Sequence, residues 1–336
     1  MLVMTSDPRT TAATFPAGST LADLGEFGVL DVLTGRLAQG EDVLVGPGDD
    51  AAEVRLEGDR ALLATDVLVD GRHFRRDWAS GVDIGRRAAA QSLSDINAMG
   101  GRASAVTVGV AAPPHLEMAW LLELSQGVAE ECAEVGASVV GGDLTRSDVL
   151  TIAVTAIGSS PASPLLRGGA RPGDVVAVKG RLGWAAAGLA VLARGFRSPR
   201  AVVEAYRRPT VPYGAGAEAL AAGATSLIDV SDGLLGDLGH VARASGVHID
   251  LASTSFTLDE PLQAVGAALG VDPLTFVLTG GDDHPLAGTF PDASAVPEGW
   301  VTIGSVHEVR ADDPAGSAGV TVDGSAYDGD PGYRHF

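Results

Sequence analysis

The chain has 336 residues, 46% of them hydrophobic, which is enough for two domains of ordinary size with real cores. Its formal net charge of −20 argues against a nucleic-acid or anionic-membrane surface, because both partners demand a basic patch. Cys132 is the only cysteine, so no intrachain disulfide, zinc knuckle or redox pair can be drawn, which fits a reducing cytoplasm.

Apolar runs such as residues 183–193 fall well short of the ~20 residues a membrane-spanning helix needs, so a soluble protein is expected. Residues 1–20 lack the basic start and apolar core of a signal peptide and read as a frayed, disordered extension. Leu21, Leu24, Phe27, Leu30, Leu33 and Leu37 then recur at helical spacing ahead of Gly40. Strands are expected at 52–56 and 61–69, joined by the Glu57-Gly58-Asp59 turn, so that Asp49 and Asp66 lie at one end of a hairpin. A helix follows over 83–99 with Asp83 as N-cap, then a strand over 103–110, and a long amphipathic helix from Pro113-Pro114 to Gly136. A short strand at 138–140 delivers Gly141-Gly142-Asp143, and 149–157 alternates as another strand.

Residues 159–164 carry two prolines and no periodicity, which places a domain boundary between an N-terminal domain, 21–158, and a C-terminal domain, 165–336. Beyond it, strands are expected at 174–179, 226–230, 247–251, 274–279, 285–290 and 300–304, with helices at 184–194, 213–223 and 234–244. Residues 311–336, rich in Gly, Asp and Ser, read as an irregular tail ending in Tyr333-Arg334-His335-Phe336. Both halves mix strands and helices, an α+β or α/β two-domain chain.

Aspartates beside Gly, Ser or Thr at strand ends recur through the chain, at Gly48-Asp49-Asp50, Thr65-Asp66, Ser94-Asp95, Gly141-Gly142-Asp143, Asp229-Val230-Ser231-Asp232-Gly233 and Gly280-Gly281-Asp282-Asp283. No G-x-x-x-x-G-K-[ST], D-F-G or H-R-D sequence is present, so the common kinase classes are excluded. An acidic protein that still handles phosphates must recruit metal ions, and magnesium takes one or two carboxylates plus phosphate oxygens. Strand alternation puts Asp229 and Ser231 on one face, and the helix start after Asp232 offers N–H groups to an oxyanion. A plain Asp/Ser helix cap explains Asp232 but not the apolar-flanked Asp229. Gly141-Gly142 serves equally a close phosphate approach or a simple turn. His73, within Arg72-His73-Phe74-Arg75-Arg76, belongs either to an anion pocket or to a salt-bridged loop, and Arg167 is either a phosphate clamp or a surface charge.

Taken in order, Gly25-Glu26-Phe27, Gly48-Asp49-Asp50-Ala51-Ala52, Thr65-Asp66 with Gly71-Arg72-His73-Phe74, residues 93–100, Gly141-Gly142-Asp143, Arg171-Pro172-Gly173-Asp174, residues 229–234 and residues 332–336 form a series. In this series the chain resembles the thiamine-monophosphate kinase family, of the superfamily shared with aminoimidazole ribonucleotide synthetase and selenophosphate synthetase. The resemblance implies an N-terminal domain that pairs with its copy in a cytoplasmic homodimer, a C-terminal α/β domain and an ATP cleft between them. It implies Asp49, Thr65, Asp66, Asp95, Asp143, Asp229 and Asp232 as magnesium ligands, with room for a potassium ion. ATP would meet Gly142, Asp143, Arg167 and Ser231, and thiamine monophosphate would meet His73, Asp282 and Tyr333. No general base is implied, and Asp66 and Asp232 are the most critical carboxylates. Two departures stand out: Ala64 replaces a hydroxyl residue before Thr65-Asp66, and the family's Gly-Glu-Asp-Tyr-Glu-Leu run reads Gly281-Asp282-Asp283-His284-Pro285-Leu286. The alternatives are another ATP-using enzyme of the superfamily, which activates an amide oxygen, and a non-catalytic nucleotide-binding subunit.

Overall fold

Residues 15–48, 50–309 and 318–333 are described by a computed structural model, so Asp49, a candidate ligand, lies outside the described residues. The chain divides into two compact units, one of residues 1–55, 65–88 and 104–155, the other of residues 56–64, 89–103 and 156–336. Helices and strands are mixed along the whole length, as the sequence predicts.

In the first unit, α1 (Leu21–Thr34) begins where Asp23 accepts hydrogen bonds from the Thr20 N–H at 2.8 Å and the Thr20 hydroxyl at 2.7 Å. The helix is broken at Gly25, whose φ of 69° only glycine adopts without strain. β1 (Val43–Val45) pairs antiparallel with β2 (Glu53–Val54), so the expected hairpin between the second strand and β3 (Leu62–Val69) does not form. The apolar run of β3 is instead drawn into a four-stranded sheet, where Leu68 is buried. That sheet has the order β3-β6-β4-β5, with β4 (Arg102–Ala112), β5 (Ser138–Arg146) and β6 (Thr151–Ser159). β5 runs six residues past Val140, so Gly141-Gly142-Asp143 lies inside a strand and not after one.

Helix α2 (Gly81–Ala98) starts two residues before the expected point. Ser80 and Asp83 form a reciprocal box, Asp83 accepting from the Ser80 N–H at 3.0 Å and the Ser80 hydroxyl from the Asp83 N–H at 3.2 Å. Asp83 is therefore the third residue of the helix, closing the box, and not the cap. α2 meets α3 (Met118–Glu134) backbone to backbone: a Cβ on Gly85 would be driven into the Leu124 carbonyl, and one on Gly127 into that of Val82. Arg86 ties the pair together through Glu131 at 2.9 Å and Glu134 at 3.3 Å.

The second unit carries a seven-stranded sheet of order β13-β12-β9-β11-β7-β10-β8. Its strands are β7 (Val175–Lys179), β8 (Ser226–Asp229), β9 (Val247–Leu251), β10 (Leu286–Phe290), β11 (Val301–Glu308), β12 (Gly319–Val322) and β13 (Ser325–Ala326). The pairing is antiparallel except for β12 on β9, which closes the sheet with a segment that reads as an irregular tail in the sequence. Helices α4 (Trp184–Ala193), α5 (Arg200–Arg207), α6 (Ala215–Ala221), α7 (Leu234–Ser245), α8 (Glu260–Leu269) and α9 (Pro273–Thr279) complete the unit. α5 and α8 have no counterpart in the sequence reading, and α9 replaces the strand expected at 274–279. There Asp272 accepts from the Leu274 N–H at 2.9 Å with Pro273 in the first turn, a helix start that outweighs the strand propensity of Thr275-Phe276-Val277. Phe290 and Trp300 meet edge to face at 5.4 Å in the core of this unit, with Leu227, Leu286 and Ala177 beside them. Among the described residues no single helix is long and apolar enough to cross a membrane.

Candidate functional site

The richest cluster of candidate residues lies in the second unit, where β8 ends and β10 begins. Antiparallel register pairs Asp229 with Leu286, and the chain then crosses over itself: the Val230 N–H donates to the Pro285 carbonyl at 2.8 Å and the Asp282 N–H to that of Ser231 at 2.9 Å. A Cβ on Gly281 would be driven into the Ser231 carbonyl, so this crossing demands glycine. The C-terminal segment joins it, with the Tyr333 N–H donating to the Asp232 carbonyl at 2.9 Å and the Gly236 N–H to that of Pro331 at 3.1 Å. Asp229, Ser231, Asp232, Asp282 and Tyr333, scattered over a hundred residues of sequence, are thereby gathered. Asp282 and His284 take left-handed φ values of 66° and 53°, conformations that cost roughly 1–3 kcal/mol each and persist only where neighbours fix them.

Three further groups at this crossing were not anticipated from sequence. Asp283 is 4% exposed and accepts from the Ala185 N–H at 2.9 Å, capping α4 from a distant loop. Burial pushes its carboxyl up to about 7, against the opposing pull of the Ala185 hydrogen bond and the Arg181 charge. Asp237, in the first turn of α7, accepts from the Asp232 N–H at 3.0 Å and the Gly233 N–H at 3.1 Å. Burial pushes it up to about 7 as well, and the charges of Asp229 and Asp232 add to the effect. The acid in the opening turn of a helix is a signal the sequence does carry. His284 places Nδ1 at 3.3 Å from Oδ2 of Asp229, with both side chains buried; the residue is visible as a departure from the family run, its partner is not.

A cavity of about 500 Å³ in the same unit is lined by Leu62, Ala64, Asp95, Met99, Arg167 and Asp229, among others. It brings Asp95 and Arg167 to Asp229. The Arg167 side chain is exposed, while its carbonyl accepts from the Ser245 hydroxyl at 3.1 Å. A separate hollow of about 600 Å³ between α8 and α9 has Asp272 as its one charged lining residue and touches none of the candidate residues.

The remaining candidates sit in the first unit and are less confined. Thr65 is exposed on β3, its hydroxyl 2.9 Å from that of Thr155, and Asp66 beside it is half-buried. Gly142 and Asp143 are exposed on β5, opposite Val108 and Gly109 of β4. A Cβ on Gly142 would be driven into the Val108 carbonyl, whereas one on Gly141 would meet only a Thr107 methyl at 4.0 Å. Strand pairing by itself thus requires the second glycine. β3 and β5 are the two edges of their sheet, so Thr65-Asp66 and Gly142-Asp143 stand three strand spacings apart, roughly 14 Å along the sheet. His73 turns its Nδ1 to accept from the Val69 N–H at 2.9 Å, which leaves the neutral ring's proton on Nε2. The neighbouring arginines are paired with acids, Arg76 with Asp70 at 2.9 Å and Arg75 with Asp77 through two bonds of 3.0 and 2.9 Å. Arg75 and Arg76 thus belong to a salt-bridged loop, with His73 beside them.

Among the described residues no three His, Cys, Asp or Glu side chains come close enough to hold a metal ion by themselves. Magnesium does not need three, since phosphate oxygens and water complete its octahedron. The donor chemistry suits it: Asp229 and Asp232 offer hard carboxylate oxygens, and their charges add to the burial that raises the neighbouring Asp237 carboxyl.

Models of AIR synthase related proteins match the chain, the N-terminal domain over residues 48–160 and the C-terminal domain over residues 171–281. The chain is 45% identical over 319 residues to a thiamine-monophosphate kinase of Mycobacterium tuberculosis, covering 94% of this chain and 93% of the relative. It is 40% identical to the thiamine-monophosphate kinase of Corynebacterium glutamicum, covering 95% of this chain and 96% of that protein. Among solved structures it is similar to AaThiL complexed with AMPPCP and TMP, with a TM-score of 0.75 and 29% identity over 96% of this chain and all of the other.

Proposed function

Because the chain belongs to the thiamine-monophosphate kinases, within the AIR synthase related proteins, we propose that it transfers the γ-phosphoryl group of ATP to thiamine monophosphate, giving thiamine diphosphate and ADP. In the reaction a phosphate oxygen of thiamine monophosphate attacks the γ-phosphorus in line. The bond from that phosphorus to the β,γ-bridging oxygen breaks, and ADP leaves with the electron pair. The acceptor is already an anion near neutral pH, so positioning and charge neutralisation are the work required, without a general base. Magnesium, when bound, would supply the charge that lets two phosphate groups approach one another.

Asp95, Asp229 and Asp232 in the second unit, and Asp49, Thr65, Asp66 and Asp143 in the first, are the residues proposed to hold the ions. Gly142, Asp143, Arg167 and Ser231 are assigned to ATP, and His73, Asp282 and Tyr333 to thiamine monophosphate. The observation that carries this reading is the crossing of residues 229–232 with residues 281–285 and Tyr333, which gathers carboxylates and a serine beside the cavity shared by Asp95, Arg167 and Asp229. A homodimer working in the cytoplasm is part of the same proposal. It is supported by the edge position of β3, whose outer backbone groups are open to a second copy.

A coupled ADP assay offering thiamine monophosphate and, separately, formylglycinamidine ribonucleotide separates this from the purine-pathway chemistry of the same superfamily. ADP release with thiamine monophosphate alone is expected, and release with the amidine precursor alone would overturn the proposal.

A further inference from the structure

His284 is the residue of the loop that neither the cap of α4 nor the crossing of the chain explains. Its side chain is 2% exposed and its Nδ1 lies 3.3 Å from Oδ2 of Asp229, whose side chain is 6% exposed. An ionised carboxylate only accepts hydrogen bonds, so the contact requires the proton on Nδ1. Buried carboxylates need such donors, and a donor on one oxygen fixes the plane of the group and leaves the other oxygen for a ligand. The backbone is held for this purpose at a left-handed φ of 53°, between the strand register that pins Leu286 against Asp229 and the Asp282–Ser231 hydrogen bond. The reach is specific to a ring nitrogen one bond from Cγ.

We propose that His284 is a positioning residue for the metal site: its Nδ1–H donates to Oδ2 of Asp229 and presents Oδ1 to a divalent cation beside the cavity lined by Asp95 and Arg167. The proposal rests on the reading of Asp229 as a metal ligand. Carboxamides can imitate the two ring nitrogens separately, since the amide nitrogen of Asn lies where Nδ1 lies, and that of Gln where Nε2 lies.

The test is binding of Mn²⁺ to full-length protein in the presence of AMPPCP, followed by the electron paramagnetic resonance of free Mn²⁺, for wild type, His284→Asn, His284→Gln and Asp229→Asn. Melting temperatures confirm that each variant is folded, and the KM for thiamine monophosphate is measured alongside. Loss of an outer hydrogen bond to a metal ligand weakens metal affinity by about 10–100-fold. His284→Gln is expected to fall in that range with an unchanged KM, and His284→Asn to stay close to wild type. Equal Mn²⁺ affinity in wild type and His284→Gln, while Asp229→Asn binds weakly, overturns the positioning role alone. Wild-type affinity in Asp229→Asn overturns the ligand assignment beneath it. Weakening by both His284 variants to the same degree also contradicts the proposal, because it removes the distinction between Nδ1 and Nε2.

Discussion

The two units hold their candidate residues in opposite ways. In the second unit Asp229, Ser231, Asp232 and Asp282 are pinned by backbone hydrogen bonds across three segments, with Asp229 5% exposed and two left-handed residues built into the crossing. In the first, Thr65, Gly142 and Asp143 stand exposed on the edge strands of a sheet, and the one tight constraint is the Gly142 backbone against Val108. The difference shows where chemistry and stability are separable. A side chain at the sheet edge stands apart from what holds its element; in the crossing, the glycine and the left-handed residues that shape the loop are immediate neighbours of the candidate side chains.

The largest effect is expected from the carboxylates themselves. Asp66→Asn and Asp232→Asn should each lower kcat by roughly 10²-fold or more, the scale of removing one preorganised charge-stabilising group. Both should do so with melting temperatures close to wild type, since both side chains are only half-buried and the bonds of Asp232 to Tyr333 and Asp237 are made by its backbone. Equal kcat in wild type and Asp66→Asn would detach the sheet edge from the reaction. Next comes the glycine pair. Gly142→Ala should cost about 1–3 kcal/mol in urea unfolding through overpacking against β4, and Gly141→Ala much less, because its added methyl meets only the Thr107 methyl at 4.0 Å. A reversal of that order would contradict the described pairing of β4 with β5.

A smaller effect separates the buried loop from the exposed edge by pH. Burial raises the Asp283 carboxyl to about 7 in the folded chain, above its unfolded value near 4, so folding favours the protonated form. Its contribution is fully present below about pH 4 and is lost as pH rises through about 7. Asp283→Asn keeps an acceptor for the Ala185 N–H without that titration, and its unfolding free energy should fall less between pH 5 and pH 8 than that of wild type. An unchanged slope would show that Asp283 does not titrate in this range. The smallest expected response is that of Cys132, which is 1% exposed and pushed up to about 12 by burial. Native protein should resist a thiol reagent at pH 8 over a period in which urea-unfolded protein is labelled completely.

Much of the fold was legible where the signal is local. The strand into Asp229-Val230-Ser231-Asp232 and the helix after Gly233 follow from a short apolar run and a break, and the structure has both. What escaped depends on partners far along the chain. β2 takes β1 and not β3, and residues 319–322 become a strand on the edge that β9 offers; Val320-Thr321-Val322 ahead of Asp323-Gly324 carried that signal, but the Gly, Asp and Ser around them outweighed it in the sequence reading. The Pro273 start of α9 was present in the sequence but outvoted by the β-branched residues that follow. For the candidate site, the recurring aspartates were visible one by one. Their grouping was not, because the left-handed turns at Asp282 and His284 occur at residues that give no glycine signal, and the return of Pro331 to Tyr333 onto α7 spans nearly a hundred residues. The salt-bridged state of Arg75 and Arg76 was one of the two readings the sequence offered, and their acids, Asp77 and Asp70, lie only two and six residues away.

Product formation is the most direct test of the proposed transfer. Purified protein incubated with ATP, Mg²⁺ and thiamine monophosphate should yield thiamine diphosphate and ADP in a one-to-one ratio by chromatography and ³¹P NMR, with inorganic phosphate no higher than in the absence of the acceptor. ADP accompanied by equimolar inorganic phosphate, and no thiamine diphosphate, would contradict it.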